Sequence, residues 1–187
     1  MIGSARWLVQ IAGERAAGGI GPVAACPAMA AALRRRRIDP QLVDERELGV
    51  MFAGLEFWVP TWSWRLTPLC LWARPVDPEL PPMLGPGWLL DAPARRILAG
   101  EASRGAELWI ASDPIDWLTL ATLWGEADPL ERGVVGLVRM PWSRKLAARV
   151  PDGATLVVSS ESVGAQVLRT VRDRPVSVRL WRAVPRG

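Results

Sequence analysis

From Glu107 onward the chain alternates between short apolar runs and longer stretches with apolar residues at helical spacing. Short apolar runs read as buried strands, and a period near 3.6 residues reads as amphipathic helix. The pattern predicts strands over 107–111, 134–138, 155–158 and 176–180. Helices are predicted between them over 114–124, 143–149 and 161–172. Such alternation calls for a parallel sheet with right-handed crossovers. The expected fold class is α/β: a mainly parallel four-stranded sheet flanked by helices, preceded by a small α+β subdomain.

Upstream the pattern is less regular. Residues 1–33 read as weak helices broken by Gly18-Gly19 and Gly21-Pro22. Asp39 before Pro40 starts a helix that runs to Leu48, with Gly49 as its C-cap, because Pro suits the first helical position and Gly the position past the end. Segments 54–60 and 67–74 read as short strands joined by a turn over 61–65. Residues 75–87 are dense in Pro and Gly and form a loop. Asp91-Ala92-Pro93 opens a helix that ends near Gly100. Three regions are expected: a helical extension over 1–33, an α+β subdomain over 34–104 and an α/β domain over 105–187.

Two strand-to-helix junctions carry candidate chemistry. In α/β folds, ligands collect at the carboxyl edge of the strands. Ser112-Asp113-Pro114-Ile115-Asp116 stands at one such edge and Glu161 at the other. Clustered carboxylates suit a hard cation such as Mg²⁺, which takes oxygen ligands. Each junction also has a purely structural reading. Asp113 before Pro114 is a helix N-cap, Ser159 or Ser160 is another, and Asp116 and Glu161 complement helix dipoles. Taken one at a time, the capping roles are the simpler account. The pairing of the two junctions across one sheet brings a metal into consideration.

Composition narrows the chemistry. There is no histidine and there are two cysteines, far apart. Structural zinc needs about four Cys or His ligands, so zinc of that kind is excluded, and no zinc is expected. Ser-His and Cys-His nucleophile pairs are excluded as well. Catalysis would have to use carboxylates, a metal held by oxygen, or Arg and Lys. The net charge is +4 and the isoelectric point about 10.3. Lys145 is the lone lysine, and arginine is the side chain suited to bidentate phosphate contacts. The arginine excess also fits a GC-rich coding bias, so charge only inclines the reading towards nucleic acid. Trp58, Trp72, Trp109 and Trp117 lie in apolar runs and are expected in the core. Trp62, Trp64, Trp88 and Trp142 fall in predicted turns, to stack on bases or to lie partly buried under loops. No apolar run reaches the roughly 18 residues of a membrane span, and no signal-peptide pattern is present, so a cytoplasmic location is expected.

Together these residues resemble the Toprim domain, the metal-binding fold of bacterial-type DNA primases, topoisomerases and related phage proteins. The family's first motif is a hydrophobic strand ending in Glu-Gly-Pro-x-Asp, followed by a helix. Trp109 to Asp116 fits that frame, with Pro114 and Asp116 in place. Ser112 holds the glutamate position and Asp113 the glycine position. The middle strand and helix correspond to 133–138 and 143–149. The later Asp-x-Asp followed by Ala-Gly corresponds to Ser159 through Ala165, where Ser159 replaces the first aspartate, Glu161 the second, and Gly164 keeps its place. Ahead of it, Arg35 to Gly49, Leu55–Pro60 and Leu71–Arg74 follow the order of a primase catalytic core. The family's loop lysine is absent from Pro81-Pro82-Met83-Leu84, and no Cys/His zinc ribbon is present.

The resemblance implies a degenerate primase-type protein that binds DNA or RNA in replication or in a mobile element, with metal-dependent catalysis reduced or lost. Arg34, Arg35, Arg36, Arg37, Arg74, Arg139, Arg144 and Lys145 would contact phosphates. Two other readings stay open. One is an active Mg²⁺- or Mn²⁺-dependent nucleotidyl transferase or nuclease, with Asp113 and Asp116 catalytic and Asp113, Asp116 and Glu161 as metal ligands. The other is a scaffold for a replication or defence partner, a helicase being one such replication protein. No organic cofactor and no membrane partner are expected.

Overall fold

The computed structural model describes residues 22–45, 48, 50–53, 56–75, 87–101, 105–123, 131–138 and 140–181, with the backbone alone described for 51–53, 56–58 and 70–75. The chain divides into two compact units, residues 1–87 and 88–187.

The first unit opens with a 3-10 turn, Val23–Ala25, then helices α1, Pro27–Arg35, and α2, Pro40–Glu45. The Asp44 carboxylate accepts the Val23 and Ala24 N–H groups at 2.9 and 2.8 Å, which satisfies donors that a helical start leaves orphaned. Val23, Met29, Leu33, Ile38 and Val43 are buried. Asp39 caps α2 as the sequence predicts, accepting from Gln41 N at 2.9 Å. The predicted helix beyond Glu45 runs into positions 46, 47 and 49, outside the described residues. Strands β1, Met51–Ala53, β2, Glu56–Trp62, and β3, Pro68–Pro75, form an antiparallel meander. Thr61 and Trp62, expected in a turn, belong to β2, and the ladder shifts register between them. The turn itself is tied by the Ser63 and Thr67 hydroxyls at 2.8 Å.

The second unit carries β4, Trp88–Leu90; α3, Ala92–Ala99; β5, Glu107–Ala111; α4, Pro114–Ala121; β6, Arg132–Leu137; α5, Arg144–Ala147; β7, Thr155–Val158; α6, Glu161–Val171; and β8, Ser177–Leu180. Its strands lie in the order β4-β6-β5-β7-β8. The last four are parallel and match the expected sheet. A fifth strand, β4, adds antiparallel to β6, so the sheet exceeds the four strands expected. Leu108, Ile110, Val134, Val135, Leu156 and Val158 are almost fully buried, which is why these strands read as apolar runs.

Two glycines show which helix covers which face. Gly133 and Gly136 project to opposite sides of β6, because the side-chain period of a strand is two. A Cβ on Gly133 would lie 2.4 Å from the Ala94 backbone of α3, and one on Gly136 would lie 3.0 Å from the Trp117 ring of α4. Helices α3 and α4 therefore pack on opposite faces. The register aligns Val135, Ile110 and Val158 on the α3 side. There Gly164 brings α6 against Val158, where a Cβ would make contact at 3.2 Å.

Helix boundaries moved where side chains compete with the backbone. Helix α4 stops at Ala121, short of the expected end at 124, and the Thr122 hydroxyl donates to the Leu118 and Thr119 carbonyls. Among the described residues, no helix is long and apolar enough to cross a membrane.

Candidate functional site at the carboxyl edge of the sheet

Because β5, β6 and β7 are parallel, α4, α5 and α6 all begin at the same edge of the sheet. The sequence places Asp113, Asp116, Arg144, Lys145 and Glu161 there, and the topology gathers them. Arg144, Lys145, Asp113 and Glu161 are exposed, and Asp116 is half-buried.

The strand ends meet through hydroxyls. Ser112, after β5, and Ser159, after β7, have their Oγ atoms 3.2 Å apart, and the Ser112 N–H donates to Ser159 Oγ at 3.3 Å. These are the two positions where the Toprim pattern has a glutamate and an aspartate. They are neighbours in space, as a shared site requires, but they are neutral and bonded to each other.

The carboxylates beside them have helix work. Asp113 Oδ1 accepts the Ile115 and Asp116 N–H groups at 2.7 and 3.4 Å, which makes Asp113 the N-cap of α4. Ser160 caps α6 by accepting from Val163 N at 3.4 Å. Asp116 and Glu161 sit in the first turns of their helices, where negative charge complements the dipole. Among the described residues, no three metal-ligating side chains gather in one cluster. The edge thus presents two hydroxyls bonded to each other, Asp113 engaged in capping, and Asp116 and Glu161 in the first turns of separate helices.

Arg34, Arg35, Arg36 and Arg37 form an exposed run at the end of α1 in the first unit, with Arg37 in the left-handed region at φ 61°. Arg74 is in β3, but its side chain, like Arg139 as a whole, lies outside the described residues. The tryptophans redistribute. Trp88 and Trp142, expected in turns, are fully buried, with Trp88 in β4 and Trp142 donating to Thr170 Oγ1 at 2.8 Å. Trp109, expected in the core, is only half-buried. At the β2–β3 turn the Arg65 guanidinium lies 5.0 Å from the centre of the Trp64 ring.

One residue escaped sequence reasoning in its full role. Asp91 caps α3 through Ala94 N at 2.8 Å, and the same Oδ1 accepts Val134 N from β6 at 3.0 Å. Burial pushes its carboxyl up to about 7, against the lowering effect of those two N–H groups and of Arg95 and Arg96. The Asp-Ala-Pro sequence signals the cap; nothing local signals the bond to β6.

No family model matches the chain, and no curated protein matches it. Solved structures do. A structure of the DnaG catalytic core aligns with TM-score 0.54 and 10% identity over 86% of this chain and 66% of that one. The E. coli primase catalytic core aligns with TM-score 0.54 and 9% identity over 88% and 69%. The DnaG primase catalytic domain bound to ssDNA aligns with TM-score 0.53 and 10% identity over 87% and 67%. The chain thus spans about two thirds of the length of these cores. In fold, it is similar to the catalytic cores of DnaG-type primases, with a Toprim-like, mainly parallel sheet.

Proposed function

We propose that the protein is a primase-type Toprim protein that binds nucleic acid in replication or in a mobile element, with metal-dependent catalysis reduced or lost. The observation that carries this reading is the Ser112–Ser159 pair at the carboxyl edge of a primase-like sheet. Hydroxyls stand at two adjoining positions where the Toprim pattern has carboxylates, so a hard cation would have to draw its charge from Asp113, Asp116 and Glu161 alone. The neighbour bound to ssDNA, the net charge of +4 and the exposed arginine run over 34–37 support nucleic acid as the partner.

The test has two arms. The first is calorimetric titration with Mg²⁺ and with Mn²⁺, on the wild type and on Ser112→Glu with Ser159→Asp. No saturable binding by the wild type, with binding gained by the double variant, is the expected result. Saturable binding lost in Asp116→Ala with Glu161→Ala would instead make the edge a live metal site, and primer-synthesis assays would follow. The second arm is anisotropy with labelled DNA and RNA oligonucleotides across a salt series. Binding should weaken steeply with salt, and removing a phosphate-contacting arginine should lower the slope by about 1. An absence of binding to either polymer at low salt would overturn the reading.

A further inference from the structure

Among the described residues, the two faces of the second unit's sheet are covered by different helices. Helix α4 packs on β6 and β5, while α6 packs on β7 and β8 from the opposite side. On the α4 side, the β7–β8 half of the sheet has Ser177 and Arg179 exposed. The parallel register sets Trp109, Val157 and Arg179 side by side across β5, β7 and β8. Trp181 continues beyond β8 on the same side, and its ring meets that of Trp109 with centroids 5.8 Å apart at 68°. Both indoles are half-buried.

In an edge-to-face pair one ring presents its edge and the other one face, so each ring keeps a face that its partner does not use. The local charge suits an anion. The one acidic group on this side among β5 and its flanking strands, Glu107, is held by Arg132 Nε at 3.0 Å and by Trp109 Nε1 at 3.2 Å. Its charge is thereby answered, and Arg179 adds a positive one.

We propose that this half-face is a base-stacking surface for single-stranded nucleic acid, with Trp181 as the stacking ring, Trp109 bracing it, and Arg179 contacting the backbone. The inference rests on the nucleic-acid reading above and adds where a strand would lie. Single strands fit because their bases are free to stack on aromatic rings, whereas duplex bases are hidden in their own stack. A protein partner fits less well. Thr155 and Ser177 interrupt the apolar surface, and Val157 is 6% exposed, so little apolar area is on offer compared with the roughly 800 Å² each partner commits in a standard interface.

The experiment uses the full chain with labelled oligothymidylate and a duplex of equal length. Anisotropy reports affinity and tryptophan emission reports stacking. Trp181→Leu keeps an apolar side chain without the indole, and Arg179→Gln removes only the charge at an exposed position. Trp181→Leu should weaken single-strand binding about tenfold, the effect of losing one stacked base, and leave duplex binding and the salt slope unchanged. Arg179→Gln should lower the salt slope by about 1. A melting curve like that of the wild type would show that both variants are folded. Wild-type single-strand affinity in both variants would overturn this inference while leaving the nucleic-acid reading intact. No binding of either oligonucleotide by the wild type would overturn both. Self-association lost in Trp181→Leu, without oligonucleotide binding, would assign the face to a second copy of the chain and likewise overturn it.

Discussion

Two strand-to-helix junctions in the second unit are built from the same local chemistry and do different things. At Leu90-Asp91-Ala92-Pro93 an aspartate ends β4 and caps α3; at Ala111-Ser112-Asp113-Pro114 an aspartate follows β5 and caps α4. Asp91 is buried, also binds β6, and has its carboxyl pushed up to about 7. Asp113 is exposed and binds only its own helix. The contrast teaches that a capping motif fixes where a helix starts but not whether the cap is a structural lock or part of an open edge. That depends on which strand lies alongside.

The comparison can be broken most forcefully at the buried junction. Gly133→Ala would drive a methyl into the Ala94 backbone. Overpacking against backbone should cost about 3 kcal/mol, read as a drop in the urea midpoint. Asp91→Ala removes the cap and strands two buried N–H groups, Ala94 and Val134. A loss of about 2 kcal/mol is expected. Asp113→Ala removes an exposed cap and should cost about 1 kcal/mol. Equal losses at Asp91 and Asp113 would erase the distinction. Ser112→Ala, which deletes a hydroxyl bond at an exposed edge, should stay within about 0.5 kcal/mol.

The same contrast has a pH signature. Because burial raises the folded carboxyl of Asp91 from 3.8 to about 7, the folded chain holds a proton that the unfolded chain releases between those values. Stability from this group is therefore highest below pH 3.8, falls as pH rises towards 7, and is flat above. Denaturant unfolding of the wild type against Asp91→Asn across pH 5 to about 8 should show the stability difference shifting against the wild type as pH rises. A flat difference for Asp91→Asn would mean that the carboxyl is charged throughout.

Much of the second unit was legible along the chain. Apolar runs mark the strands, and the helices between them carry their own caps, so β5 through β8 and α4 through α6 fall close to the predicted positions. Strand β4 was missed because Trp88-Leu89-Leu90 is too short to show a period, and its identity comes from pairing with 135–137. For the same reason Trp88 was placed in a turn and Trp109 in the core: strand membership can be read locally, but face coverage cannot. At the candidate site, sequence alone determined which residue types stand at the strand ends and that no histidine is among them. Tertiary structure decided that Ser112 and Ser159, 47 positions apart, bond to each other, that Asp91 reaches Val134 across 43 positions, and that Trp109 meets Trp181. The physical reason is range. Periodicity and capping act within a few residues, whereas a hydroxyl, a carboxylate or a ring takes its role from partners that only the sheet order brings near.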